Sequence, residues 1–211
     1  MDNRRPLKIR SQTFIQEGAK WLSQKDITPN QISIASIGFS AFAAFILLLL
    51  PIGFFNLWVW AFLILFSFLG RGACNIFDGL VAVEGGKSTP SGELFNDIPD
   101  RVSDALILTC AGYACGVPVL GWLAALMAVL VAYVRTLVRG VGAPSDFQGP
   151  MAKVHRMIVL AVAVIITPVE AMFFYPGYAI AISLIVVSLG CLWTMWKRAK
   201  AGYEYLENAD V

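Results

Sequence analysis

No lysine or arginine occurs between positions 26 and 70, 102 and 134, or 157 and 196 of this chain, although 16 of them are spread over the rest of its 211 residues. Each empty interval is long enough for a helical hairpin that crosses a bilayer and returns, since one crossing needs ~20 apolar residues. Basic residues gather on the cytoplasmic side of such segments, so every basic cluster is expected on that side. The composition agrees: 58% of residues are hydrophobic and 14% are charged, where a soluble domain carries roughly a quarter charged. A soluble fold would need one very large shared core for so many apolar runs. A β-barrel is excluded because the runs are continuous and do not alternate with period two. The expected fold class is an all-α integral membrane protein with six transmembrane helices, preceded by an N-terminal amphipathic interfacial helix. No domain boundary or internal repeat is visible, so residues 1–211 read as a single membrane domain.

In residues 1–31, Ile9, Phe14, Ile15, Trp21 and Leu22 are interleaved with Arg, Lys and Gln. This suits a helix lying in the headgroup region of membrane lipids, basic side toward anionic lipid; an ordinary solvated arm is the competing reading. No cleavable signal is expected, because the apolar run starts too late and is too long. Thr28-Pro29-Asn30 is a helix start, and the first span runs from about Ile32 to Leu50, before Pro51-Ile52-Gly53. The second begins near Asn56 and must continue past Arg71 through Cys74–Val83 to be long enough. Glu84–Pro90 is turn chemistry. Ser91 is expected to cap the third helix, which ends near Cys115 before Gly116-Val117-Pro118. The fourth span covers about Val119–Val138, the fifth His155–Phe174 with Pro168 a kink or exit, and the sixth Tyr178–Trp196. The tail that follows is polar. Cys74, Cys110, Cys115 and Cys191 show no metal-ligand spacing and read as packing residues.

The polar exception is Arg71–Asp104, where carboxylates, amides and glycines concentrate between apolar runs. Ionisable groups within membrane segments are costly and usually face a cavity, a partner or a ligand. Residues three or four apart share a helix face, so Asn75 projects with Asp78 and Asn96 with Asp100. A short connection makes the two helices antiparallel neighbours, and the two pairs are expected to face each other across one cleft. Four converging oxygens suit a hard divalent cation, Mg or Mn. Gly79, Ala82 and Gly92 leave room for a ligand beside the helix backbones, and an ion beside that crevice suggests a pyrophosphate group.

At these residues the chain resembles the CDP-alcohol phosphotransferase family, whose pattern is Asp-x-x-Asp-Gly-x-x-Ala-Arg, eight residues, Gly-x-x-x-Asp-x-x-x-Asp. Here the same spacing reads Asn75-x-x-Asp78-Gly79-x-x-Ala82-Val83, eight residues, Gly92-x-x-x-Asn96-x-x-x-Asp100, with five of eight positions matching. Asn replaces two acids and Val83 replaces the Arg. The resemblance implies transfer of a phosphatidyl group from a CDP-linked lipid such as CDP-diacylglycerol to an acceptor alcohol, releasing CMP, in phospholipid synthesis. It implies Asp78, Asp100, Asn75 and Asn96 as the metal set, Asp100 also as general base on the acceptor hydroxyl, and Gly79, Ala82 and Gly92 at the nucleotide pocket. It further implies a homodimer. The charge map puts both termini on the cytoplasmic side, and the expected location is the cell inner (cytoplasmic) membrane with the active site facing the cytoplasm; no nucleic-acid partner is expected.

Two lost carboxylates should lower metal affinity. Asp97, Glu93 and Glu84 are near enough in sequence to restore charge, and Lys87, Arg101 and Arg71 are candidates for the phosphate-facing part of the missing Arg. Arg135 and Arg139 read either as a phosphate-binding pair or as anchors obeying the positive-inside rule. His155 reads as interfacial, and Glu170 as a surface loop charge. Two other functions compete: a catalytically weak relative that binds CDP-lipid or metal, and a small transporter. A transporter predicts polar midplane sites in both halves, whereas the polar cluster here lies in one half near one face.

Overall fold

The computed structural model describes residues 13–25, 27–54, 56–84, 91–144 and 148–209. Among them the chain forms seven helices and no strand: α1 (Thr13–Gln24), α2 (Pro29–Leu48), α3 (Leu57–Glu84), α4 (Gly92–Ala114), α5 (Pro118–Gly140), α6 (Lys153–Glu170) and α7 (Tyr178–Ala209). The expected helix start is a capping box: Thr28 Oγ1 accepts from the Gln31 amide at 3.3 Å, and Gln31 Oε1 accepts from the Thr28 amide at 2.9 Å. The helix after Asn56 does continue past Arg71. Its 28 residues make it about 42 Å long, so its last turns extend beyond the hydrocarbon thickness of a bilayer. Helix α7 likewise runs through the polar tail to Ala209. Ser91 differs from expectation: it lies in α-region backbone and makes no side-chain cap bond, while its carbonyl accepts from Leu94 and Phe95.

Among the described residues four helices, α2, α3, α5 and α7, are long and apolar enough to cross a membrane. Helices α4 and α6 fall outside that description because of their charges, Glu93, Asp97, Asp100, Arg101 and Asp104 in one and Lys153, Arg156 and Glu170 in the other. Large apolar side chains point outward along the bundle, among them Phe45, Phe62, Leu69, Leu126, Ile165 and Ile182, while Ser33, Ser36, Ser40, Ser67 and Thr167 are buried. Apolar outside with small polar residues between helices is the arrangement of a membrane protein. The buried hydroxyls bond largely to carbonyls of their own helices, Ser40 to Ser36 at 2.8 Å and Ser67 to Leu63 at 2.8 Å.

Close packing joins α2 to both α3 and α4, α4 to α5, α5 to α7, α6 to α7, and α3 to α6. Helices α3 and α4 are not among these pairs, so the expected neighbour relationship is corrected: α2 packs on both, and α3 and α4 meet through long side chains. The α4–α5 crossing is tight, since a Cβ on Gly112 would lie 2.6 Å from the Gly121 backbone. Ala19, Ile15 and Leu22 of α1 pack with Phe77, Leu80 and Val81 of α3. The cysteines are packing residues as expected, Cys191 wholly buried and none in a disulfide. Glu170 is not a loose surface charge: its carboxylate accepts from the amides of Gly177 and, at 2.8 Å, Ala179, filling donors left open at the start of α7.

Candidate active site

Arg71, Asn75 and Asp78 follow one another at spacings of four and three on α3, and Asp97, Asp100 and Asp104 do so on α4, so each set lies along one helix face. Asp104 is 1% exposed and holds two arginines from two other helices: Arg71 at 2.7 Å and Arg156 of α6 at 2.5 Å. This buried triad fixes α3, α4 and α6 at the level of the motif. Arg71 is therefore committed to the protein interior and does not replace the motif's missing Arg; Lys87 lies outside the described residues.

One turn from the triad, Lys153, the first residue of α6, reaches between the other two helices. Its ammonium donates to Asn75 Oδ1 at 2.7 Å and to Asp100 Oδ1. Asn75 Nδ2 donates to the Arg71 carbonyl at 2.9 Å, which turns its oxygen toward Lys153. Asp100 is buried and lies 3.9 Å from Arg71 and, through Oδ2, 3.8 Å from Arg101. Asp78, also buried, accepts from Ser33 of α2 at 2.8 Å. Asn75 and Asp100 are thus brought together through Lys153, Asp78 lies one turn farther along α3, and Asn96 is exposed one turn before Asp100. Ala82 is buried, and Gly79 and Gly92 are half-buried on either side of residues 85–90.

The acids proposed to restore charge are spent elsewhere. Asp97 pairs with Arg135 of α5 at 2.5 Å and lies 4.0 Å from Arg101, and Glu93 pairs with Arg139; the side chain of Glu84 lies outside the described residues. Among the described residues no group of three or more His, Cys, Asp and Glu side chains is arranged to hold a metal ion. The remaining donors are two carboxylates, Asp78 and Asp100, with the amide oxygens of Asn75 and Asn96. An all-oxygen set of that kind fits a hard divalent cation, with less negative charge than the four-acid pattern supplies.

Beside Lys153 opens a cleft of about 150 Å³ lined by Arg101, Arg135, Lys153, Arg156 and Arg198, with Val131, Ala132, Ala152 and Val154 as its apolar part. Five cations around so small a space suit a phosphate-bearing ligand. Arg198 comes from α7, where it is buried and donates to the Gln148 carbonyl at 3.0 Å and the Val131 carbonyl at 3.2 Å. In the sequence it belongs to the polar tail; the signal it carries is its place two residues beyond the apolar run. Arg135 lines this cleft, whereas Arg139 is not among its lining residues and forms an exposed pair with Glu93.

No known family's sequence profile matches the chain. It is 26% identical over 195 residues to the phosphatidylinositol phosphate synthase of Corynebacterium glutamicum, covering 89% of this chain and 83% of that protein. Its fold is similar to that of the phosphatidylinositol phosphate synthase of Mycobacterium tuberculosis. With CDP-DAG bound, that enzyme gives a TM-score of 0.71 at 19% identity, over 91% of this chain and 94% of the other. In complex with manganese and citrate it gives 0.70 at 19% identity, over 90% and 88%.

Proposed function

We propose that the chain is a divergent member of the CDP-alcohol phosphotransferase family and transfers a phosphatidyl group from a CDP-linked lipid such as CDP-diacylglycerol to an acceptor alcohol, releasing CMP, in phospholipid synthesis. The observation that carries this reading is the junction of two features: the motif carboxylate Asp100 accepts from Lys153 and lies 3.8 Å from Arg101, and both of those cations line the cleft of five.

The acceptor's hydroxyl oxygen forms a bond to the lipid-bearing phosphorus as that phosphorus parts from the bridging oxygen, which leaves with CMP. Asp100 takes the hydroxyl proton, its Oδ2 lying on the Arg101 side. Asp78, Asp100, Asn75 and Asn96 are the motif oxygens that would hold a divalent Mg or Mn ion, Asn75 and Asp100 being bonded to Lys153 in this structure; the ion would supply positive charge against the pyrophosphate. Gly79, Ala82 and Gly92 flank the nucleotide. The basic cleft supports an acceptor that itself bears a phosphate, such as a glycerol phosphate or an inositol phosphate, over an uncharged or zwitterionic one such as serine.

For the fold, the reading is six spans. Helices α4 and α6 cross with Asp104 and Arg156 turned into the bundle, where Asp104 pairs with both Arg156 and Arg71. Helix α1 lies in the headgroup region with Trp21 exposed. The protein then resides in the cell inner membrane as a single multi-pass domain, both termini and the cleft on the cytoplasmic side, with a homodimer as the assembly. Purified protein given CDP-diacylglycerol and Mn²⁺ or Mg²⁺ tests the activity across a panel of acceptors. CMP release with phosphate-bearing acceptors and none with serine supports the full reading; release with serine alone removes the role of the cleft.

A further inference from the structure

Lys153 occupies the position where a site of this pattern would hold a cation. Its ammonium sits on Asn75 Oδ1 at 2.7 Å and on Asp100 Oδ1, the first and last oxygens of the motif, and it also forms part of the wall of the basic cleft. We propose that Lys153 is a built-in cation that takes the place of a divalent ion between Asn75 and Asp100, leaving the Asp78 side of the site for the metal. The inference rests on the reading of this motif as a metal site and deepens it.

Three observations converge on Lys153. The side chain is anchored at the first residue of α6, and Arg156 one turn later ties that helix to Asp104 at 2.5 Å, so the ammonium is delivered by a braced element. The Asn75 amide is oriented by its bond to the Arg71 carbonyl, so that its oxygen, the acceptor, meets the ammonium. Charge supplies the third argument. Two acids of the motif are amides here, and a site that lacks two negative charges lacks the charge that balances one divalent ion. A divalent ion placed on the same two oxygens would meet the ammonium at contact distance, with strong repulsion in a partly desolvated site. Lys153 thus does by covalent attachment part of what an ion does by binding: it places positive charge between the two helices and against the phosphate-binding cleft.

The test is the number of Mn²⁺ ions bound per chain, read by electron paramagnetic resonance of the free ion during titration of purified, detergent-solubilised protein. Asn75→Asp alone keeps Lys153 in place and should leave the number unchanged, since the new carboxylate pairs with the ammonium. Lys153→Met with Asn75→Asp should bind one ion more than the parent. Lys153→Arg with Asn75→Asp, which retains the cation, should not. An additional ion in Asn75→Asp alone, or no additional ion in the Lys153→Met double variant that elutes like the parent on gel filtration, overturns the proposal. Neither result depends on CMP release, so failure here is separable from failure of the proposed transferase activity.

Discussion

Arg156 and Asp104 form an ion pair 2.5 Å apart in which both side chains are 1% exposed. Arg71 closes on the other carboxylate oxygen at 2.7 Å, so one carboxylate holds two guanidinium groups in the interior of the bundle. Removing one member of such a group leaves charge uncompensated, at a cost of roughly 3–5 kcal/mol. Asp104→Asn should therefore lower the melting temperature in detergent sharply, and Asp104→Asn combined with Arg156→Met should recover part of the loss. A single variant that melts with the parent would contradict this role.

The cleft arginines should separate by position. Arg101→Ala and Arg135→Ala should each raise KM for a phosphate-bearing acceptor, a charge-assisted contact contributing about 1.5–3 kcal/mol. Arg139→Ala, in an exposed pair with Glu93, should leave KM unchanged. Asp97→Asn releases Arg135 from its partner and should not raise KM. Equal KM for all four variants and the parent would reduce the basic residues to topological anchors.

Glu170 has a structural role that activity should not register. Its carboxylate takes the amides of Gly177 and Ala179 at the start of α7, and losing a helix cap costs about 0.5–2 kcal/mol. Glu170→Ala should lower the melting temperature by a few degrees while CMP release at permissive temperature stays at the parental rate.

Topology can be read by single-cysteine labelling, but not at the turn glycines. Gly53 and Gly177 have φ of +67° and +131°, and a Cβ at Gly177 would lie 3.1 Å from the Cys115 backbone. Their exposed neighbours Ile52 and Tyr175 are the better positions. Six spans with both ends inside predict labelling of Ile52→Cys and Tyr175→Cys from the outer face; access from the cytoplasmic face alone would contradict them.

Much of this arrangement is legible along the chain because it is local. Thr28-Pro29 starts a helix through bonds that reach only to Gln31, and the need for length carries α3 past Arg71. The motif spacing sets Asp78 one turn from Asn75, and Asp100 one turn from Asn96, by helical geometry alone, although Asn96 is exposed where Asp100 is buried. What escapes is pairing between distant elements. Lys153 meets Asn75 across 78 positions and Asp100 across 53, and Asp97 meets Arg135 across 38. Periodicity tells which face a residue takes and not which helix lies opposite, so α3 and α4 read as direct neighbours when α2 packs on both. Glu170 and Arg198 escape for the same reason: Glu170 finds its partners only once the chain turns into α7, and Arg198 only when α7 folds back onto Val131 and Gln148.

The central claim is that a motif with two of its acids replaced still supports transfer, and it is tested most directly at Asp100. The assay is CMP release from CDP-diacylglycerol by purified protein with Mn²⁺ and a phosphate-bearing acceptor, comparing the parent with Asp100→Asn. That substitution keeps size and hydrogen bonding to Lys153 while removing the charge and the proton acceptor. Acceptor-dependent release by the parent and none by Asp100→Asn, with both proteins eluting alike on gel filtration, is the predicted result. No release by the parent with any acceptor, or equal release from both proteins, would contradict the claim.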